Sequence, residues 1–386
     1  MHRRVHIELL RILAIFLVVL NHTSVYGMPF HTGDCSALTF VMLVVSAFIK
    51  VAVPIFFMIA GALLIPKEES IMTLLRKRVL RFCFLIFLFV ALQYAYYQTT
   101  KTGNDPGIGV TVFIRDLYCG SPLHSYVVHA AAIWFLYAYL GLLLVMPFLR
   151  LMAQRTTHIH ITYLIGLSVA VGFIMPLAYS LVTGQEPSHS GILERSPYMT
   201  GMGAYMLYAV VGYYIENKVD VNRVAWKTFF VLAVVSCLAL IMEAASEFLI
   251  IQRTDVKMFD ESILPFKGLT IIPCATIYLF VKKLFTGKEL PMGINKGIGY
   301  VGAATFSVFL TEHILRQTLS NWFPEAGSHY LTSFALAVTV TGIGIAIGLI
   351  LKRIPVLKKL VQKLSKVTPK QDREGTTDFM IEKTTP

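Results

Sequence analysis

Long apolar runs separated by short polar stretches extend over most of this chain. A transmembrane helix needs about 20 apolar residues that rise about 1.5 Å each. Segments of this kind are predicted at residues 5–26, 37–65, 78–97, 126–150, 158–182, 200–216, 226–249, 263–285, 300–320 and 329–352. The pattern therefore predicts an all-α integral membrane protein, a bundle of about ten transmembrane helices.

The charge composition favours a membrane protein over a basic soluble one. Only 15% of the 386 residues are charged and the mean hydropathy is +0.66, whereas soluble domains carry about 25% charged residues. The net charge of +12 comes from basic residues between the apolar runs, about 25 on the side of the termini and about 6 on the other. We therefore predict a multi-pass protein of the inner (cytoplasmic) membrane, surrounded by lipids, with both termini cytoplasmic and no nucleic-acid partner.

The chain is predicted to hold one membrane domain, residues 1–352, followed by a basic, largely disordered cytoplasmic tail, residues 353–386. The longest connection, near residues 98–125, is too short for a second catalytic domain. Any chemistry is then expected within the membrane or against it. Cys35 and Cys119 both fall on the outer side in this topology, so a disulfide between them stays open, as does a homo-oligomer.

Ionisable residues inside the predicted spans are the first candidates for a functional site, because each costs at least about 2.5–3.5 kcal/mol in hydrocarbon. They are Arg11, His22, Lys50, Glu243, Glu247, Glu312, His313 and Arg316. Arg11 and His22, in the stretch RILAIFLVVLNH, are separated by about 16 Å of helix and lie almost on one face. His313, in a span of the same direction, is predicted at a depth similar to His22. Two imidazoles at one level could frame a reaction centre.

Structural explanations for these residues stay open at this point. Arg11 could reach the headgroups or pair with Glu8 one turn earlier. His22 could donate a hydrogen bond to a backbone carbonyl of a neighbouring helix. Glu312 and Arg316, four residues apart, could simply neutralise each other.

A basic cluster lies in the stretch LLRKRVLRF, at the predicted start of the third span. Arg78 and Arg81 share a helix face there, beside the positive N-terminal dipole, and guanidinium groups bind phosphate through paired hydrogen bonds. The pattern fits a clamp for a phosphorylated cytosolic cofactor, or only the topology signal of basic residues. The run GIGYVG, Gly297–Gly302, lacks the preceding strand of a dinucleotide-binding loop and is predicted to start the ninth span abruptly.

These residues together resemble the acyltransferase-3 family of bacterial membrane proteins, particularly its compact single-module members of the enterobacterial common antigen O-acetyltransferase type. The matching motifs are Arg11 to His22, Arg78 with Arg81, VPIFFMIAGALL at 53–64, IWFLYAYLGLLLVMP at 133–147 and TFSVFLTEH at 305–313. The resemblance extends over about residues 5–352. Ala60 stands where a serine is more usual in the second motif.

The resemblance implies an O-acyltransferase that moves an acetyl group from cytosolic acetyl-CoA to a hydroxyl of a cell-envelope glycan or lipid-linked saccharide. On this basis Arg11, Arg78 and Arg81 are expected to bind the donor phosphates.

The catalytic residues are expected at the other end of the first span. His22 is expected to act as general base, with His313 stabilising the oxyanion or binding the sugar. Glu243 is expected to orient the His22 ring or to hold the acceptor. Direct transfer needs no metal, and a relay through an acyl-histidine stays open. The alternatives are a transporter or flippase of a lipid-linked saccharide and a membrane scaffold for polysaccharide synthesis.

Overall fold

The computed structural model describes residues 4–23, 26, 36–100, 110–119, 134–183, 204–254, 268–327, 329–351 and 353. Within these ranges the protein is all helical and has no strand. The chain divides into two compact units, Met1–Leu349 and Ile350–Pro386. The predicted tail lies almost wholly outside the described residues, as do Cys35 and the side chain of Cys119.

Twelve helices occur in the described ranges. They are α1 Val5–Asn21, α2 Ala37–Ile49, α3 Ala52–Leu64, α4 Ile71–Leu74 continuing through a π-helical turn Leu75–Val79 into Leu80–Thr100, α5 Val110–Cys119, α6 Trp134–Gln154, α7 His158–Val169 continuing through a π-helical turn Ala170–Ile174 into Met175–Thr183, α8 Ala204–Asn217, α9 Trp226–Thr254, α10 Ile271–Phe285, α11 Met292–Trp322 and α12 Tyr330–Leu351.

Seven stretches in the described ranges are long and apolar enough to cross a membrane. They are Ala37–Leu64, Ile71–Tyr96, Trp134–Gln154, His158–Thr183, Trp226–Leu249, Met292–Trp322 and Tyr330–Leu351. Three further helices, α1, α8 and α10, coincide with predicted spans but have 17, 14 and 15 residues. The all-helical membrane class is confirmed, whereas seven stretches rather than ten have the length and composition of a span in the described ranges. Many side chains of α1, α8 and α10 are buried against other helices. These helices therefore need fewer apolar residues than a helix that faces lipid along its whole length.

The second predicted span is two helices, α2 and α3, that are interrupted at Lys50 and Val51. Pro54 has no N–H to donate to the carbonyl of Lys50, so the regular hydrogen-bond pattern cannot pass this point. The ladder resumes when Ile55 N–H donates to the Val51 carbonyl at 3.1 Å. The break falls inside one stretch, Ala37–Leu64, that is long and apolar enough to cross a membrane.

Helices α3 and α8 cross with almost no space between their backbones. A Cβ at Gly61 would overlap the backbone of Ala209, and one at Gly212 would overlap the backbone of Met58. Only glycine permits this approach. Helix α1 packs against α3, α10 and α11, which places both ends of α1 beside residues of other helices.

Candidate functional site

Four polar side chains meet where α1 ends, and we call them the histidine cluster: His22, Glu312, His313 and Arg316. His22 is the C-cap residue of α1, and its Nδ1 lies 2.9 Å from Oε2 of Glu312 on α11. The Nε of Arg316 donates to the other oxygen of Glu312 at 2.8 Å. The Nη2 of Arg316 lies 3.3 Å from Nδ1 of His313. The cluster therefore joins both predicted imidazoles through one carboxylate and one guanidinium.

These contacts assign a proton position to each imidazole. A guanidinium can only donate hydrogen bonds, so Nδ1 of His313 accepts and its ring proton is on Nε2. The Glu312 carboxylate only accepts, and its Oε2 lies 2.9 Å from Nδ1 of His22 in an ion-pair contact that falls short of hydrogen-bond geometry, so it favours the tautomer with the proton on Nδ1. The Nε2 of His22 is then a lone pair that can take a proton, and the Nε2 of His313 is a donor. Glu312 is 2% exposed, whereas the His22 side chain keeps 21%.

The opposite end of α1 holds a second charged pair, Arg11 with Glu8. The Nη1 of Arg11 donates to Glu8 Oε1 at 3.1 Å, which confirms the pairing predicted as one explanation for Arg11. Gly302 of α11 lies directly against the Glu8 carboxylate, which a Cβ at this position would overlap. Helix α11 begins at Met292, so the GIGYVG run lies inside it. The prediction that this run starts the helix is wrong. Its last glycine instead makes room for Glu8.

Arg78 on α4 is part of a second polar network, centred on Glu69 in the loop between α3 and α4. Its Nε and Nη2 donate to the two carboxylate oxygens of Glu69 at 2.9 and 2.6 Å. The buried Arg150 on α6 donates to the Leu64 carbonyl through Nε and Nη2 and to the Glu69 carbonyl through Nη1. The Arg150 Nη2 also donates to Glu69 Oε2 at 3.2 Å. Hydrogen bonding from Arg78 lowers the pKa of Glu69 to about 2.

The local backbone around Arg78 differs from the sequence prediction. Helix α4 begins at Ile71, where Ser70 accepts a hydrogen bond from the Thr73 N–H. Arg78 thus lies two turns inside the helix, within the π-helical turn. The effect of the helix dipole is confined to the first turn. The prediction that the dipole acts on Arg78 is therefore wrong. Arg81 follows on the same helix and is half-buried.

A row of half-buried aromatic side chains extends from the region of Arg11 and Arg78 toward the histidine cluster. The phenol of Tyr139 is within electrostatic range of both Arg11 and Arg78. Its ring lies 6.2 Å from that of Phe135, which lies 5.2 Å from Phe309. Phe309 is one turn before the histidine cluster on α11. We call Tyr139, Phe135 and Phe309 the aromatic row.

Glu243 is placed among α8, α9 and α10. Its carboxylate accepts hydrogen bonds from Thr270 Oγ1 at 2.9 and 3.2 Å. It is also within electrostatic range of Tyr208 on α8 and Cys274 on α10. The carboxylate that meets His22 is Glu312.

Sequence reasoning missed three contributions. The sequence pairs Glu312 only with Arg316, because their spacing is visible along one helix whereas the approach of His22 from another helix is not. Glu69 and Arg150 carried no motif, although Glu69 directly precedes the capping Ser70. Among the described residues, no group of three or more His, Cys, Asp or Glu side chains could hold a metal ion.

Comparison with protein-family models gives a match along almost the entire chain. The family described as an acyltransferase domain, Acyl_transf_3, matches residues 4–353. This range includes all twelve helices and every member of the histidine cluster. Searches of the curated proteins and of the solved structures give no significant match.

Proposed function

The chain belongs to the acyltransferase-3 family, and from this premise we propose that it transfers an acetyl group from acetyl-CoA to a hydroxyl of a cell-envelope glycan or lipid-linked saccharide. Membership makes the protein an acyltransferase enzyme and gives no support to the transporter alternative. The observation that carries the proposal is the histidine cluster, in which one imidazole is arranged to accept a proton and the other to donate one.

The proposed reaction is direct acyl transfer. His22 Nε2 takes the proton of the acceptor hydroxyl while the hydroxyl oxygen attacks the thioester carbonyl carbon. The Nε2–H of His313 donates to the carbonyl oxygen as negative charge develops on it. The C–S bond then breaks, the new ester forms, and the proton on His22 passes to the departing CoA thiolate. The Glu312 carboxylate stabilises the imidazolium that exists between these steps, without itself taking the proton.

The donor is proposed to enter from the other end of α1. Arg11, Arg78 and Arg81 would bind its phosphates. When a phosphate binds, the Arg78 guanidinium would donate to it in addition to Glu69 or in place of Glu69. The thin pantetheine arm would follow the aromatic row toward His22. Arg11 and His22 are eleven positions apart, about 16 Å along the helix, which suits a donor whose charged and reactive ends lie far apart.

The finer assignments belong to the same proposal. The termini and the Arg11 end of α1 would face the cytoplasm, where acetyl-CoA is found, and the protein would reside in the inner membrane. The enzyme would be of the enterobacterial common antigen O-acetyltransferase type. Glu243 would help to hold the acceptor, and transfer would need no metal.

The test compares envelope glycans of a deletion strain complemented with the wild type, with His22→Gln or with His158→Gln. His158 is an exposed histidine at the start of α7 and is the matched control. Mass spectrometry and NMR should detect one acyl ester with the wild type and with His158→Gln, and not with His22→Gln. An ester that persists with His22→Gln at normal protein abundance would remove His22 from the mechanism. An identical ester content in the deletion strain and its parent would refute the proposed acceptor class.

A further inference from the structure

We propose that Arg316 is a positioning residue that gives the two imidazoles of the histidine cluster opposite roles. This rests on the proposed function. Arg316 contacts Glu312, the partner of His22, and also contacts the ring of His313, so His22 is the base and His313 is the donor. The Arg316 side chain is 23% exposed, and neither the family motifs nor the sequence prediction gave it more than a neutralising role.

The shape of the Arg316 guanidinium allows it to contact two partners. Its N–H groups form a planar, rigid fork that can donate in two directions at once. Nε of Arg316 donates to Glu312 Oε1 at 2.8 Å, and Nη2 lies 3.3 Å from His313 Nδ1. Glu312 and His313 are four and three residues before Arg316 on α11, so one helical turn brings both within reach.

The two contacts have different consequences. The ion pair with Arg316 at 2.8 Å favours the ionised form of Glu312, and an ionised carboxylate 2.9 Å from His22 favours a proton on His22 Nδ1. The second contact requires a lone pair on His313 Nδ1 and so leaves the proton on Nε2. Without Arg316, His313 would exchange between its two tautomers, and a fraction of the molecules would present a lone pair where the oxyanion needs a donor.

Two substitutions separate these consequences. Arg316→Lys keeps a positive charge beside Glu312, but its single ammonium cannot reproduce the planar fork. We expect the His22–Glu312 contact to persist and only His313 to lose its fixed tautomer. Arg316→Gln removes the charge, so the orientation of both imidazoles is expected to fail. The control is Arg223→Lys, because Arg223 forms an exposed ion pair with Asp220 on the same chain.

The experiment records ¹⁵N spectra of histidine-labelled full-length protein in lipid nanodiscs, in which protonated and unprotonated ring nitrogens have well-separated chemical shifts. The variant His313→Gln assigns the signals of His313. The wild type and Arg223→Lys should show an unprotonated Nδ1 and a protonated Nε2 at His313, and Arg316→Lys should show both tautomers. A protonated Nδ1 at His313 in the wild type, or an unchanged single tautomer in Arg316→Lys, would overturn the inference.

Turnover gives the second measurement. We expect Arg316→Lys to lower kcat for acyl transfer about two- to fivefold, because only the fraction of His313 in the wrong tautomer loses its oxyanion donor. Arg316→Gln should lower kcat about 10–100-fold, because it also disturbs the base, and KM for the donor should change less than about threefold in both variants. Unchanged kcat in Arg316→Lys would also overturn the inference. The spectra need no turnover, so the two proposals can fail separately. If His313 has a fixed tautomer but glycan acylation survives His22→Gln, the proposed reaction is refuted and the tautomer assignment remains.

Discussion

Glu312→Gln is the substitution that tests the histidine cluster most directly. The glutamine amide has nearly the shape of the carboxylate but carries two N–H donors on one side. Its oxygen is expected to turn toward Arg316, which only donates. The amide NH₂ then faces His22 Nδ1, which must accept, so the proton of His22 moves to Nε2. The substitution therefore inverts the tautomer that the proposed base requires.

The magnitude follows from the role that is lost. General base catalysis by a positioned side chain contributes about 10²–10⁴-fold, so we expect kcat to fall about 10³-fold, equivalent to about 4 kcal/mol in the activation barrier. The KM for the donor should change little, because the donor phosphates are proposed to bind at the other end of α1. Combining Glu312→Gln with His22→Gln should be no worse than His22→Gln alone, since the two residues act as one unit.

The assay measures initial rates of labelled acetyl transfer from acetyl-CoA in membranes that contain equal amounts of each variant. Glu247→Gln is the control, because Glu247 is 4% exposed on α9 and its substitution also removes a buried carboxylate. The control should transfer at the wild-type rate. A rate for Glu312→Gln within about threefold of the wild type would refute the argument that this carboxylate sets the tautomer of His22.

Three further predictions concern other parts of the molecule. Gly302→Ala should lower the Tm in detergent because its Cβ would overlap the Glu8 carboxylate. The control Gly297→Ala has open space around it and should be neutral or stabilise the protein by up to about 1 kcal/mol. Equal effects of the two substitutions would contradict the close contact at Gly302. The ion pair of Glu69, whose pKa is lowered to about 2, contributes stability above about pH 4.5 that is lost as the pH falls toward 2. The wild-type Tm should therefore fall more steeply than that of Glu69→Gln over this interval, and parallel curves would count against the pair. Glu243→Gln should raise the KM for the acceptor and leave kcat within about threefold, and a loss of kcat as large as that of Glu312→Gln would move Glu243 into the reaction centre.

The positions of the helices could be predicted from the sequence because apolar runs of this length have few other structures. The described helices lie at all ten predicted segments, although the bounds moved and some helices are shorter than a span. The break between α2 and α3 is local chemistry, since Pro54 cannot donate to Lys50. By contrast, the early start of α4 at Ile71 was missed because polar residues in its first turns hide a helix that is capped by Ser70.

The packing of glycines could not be predicted at the level of single residues. GIGYVG has the composition of a flexible loop, yet all of it is helical. Gly302 matters because the Glu8 side chain of another helix occupies the space of its missing Cβ, whereas Gly297 has no atom nearby. Two glycines in one motif therefore have different reasons to be present, and only the neighbouring helix separates them.

The same limit applies to the chemistry of the cluster. The sequence supplied His22, Glu312, His313 and Arg316 as ionisable groups in apolar spans, and the spacing of Glu312 and Arg316 supplied one ion pair. A base and a donor differ, however, only in which ring nitrogen carries the proton, and that depends on the groups that each ring meets in space. His22 meets an acceptor from another helix, and His313 meets a donor from its own. An imidazole's role is thus a property of its contacts, which is why two histidines that look equivalent in the sequence are expected to fail in different ways when Arg316 or Glu312 is changed.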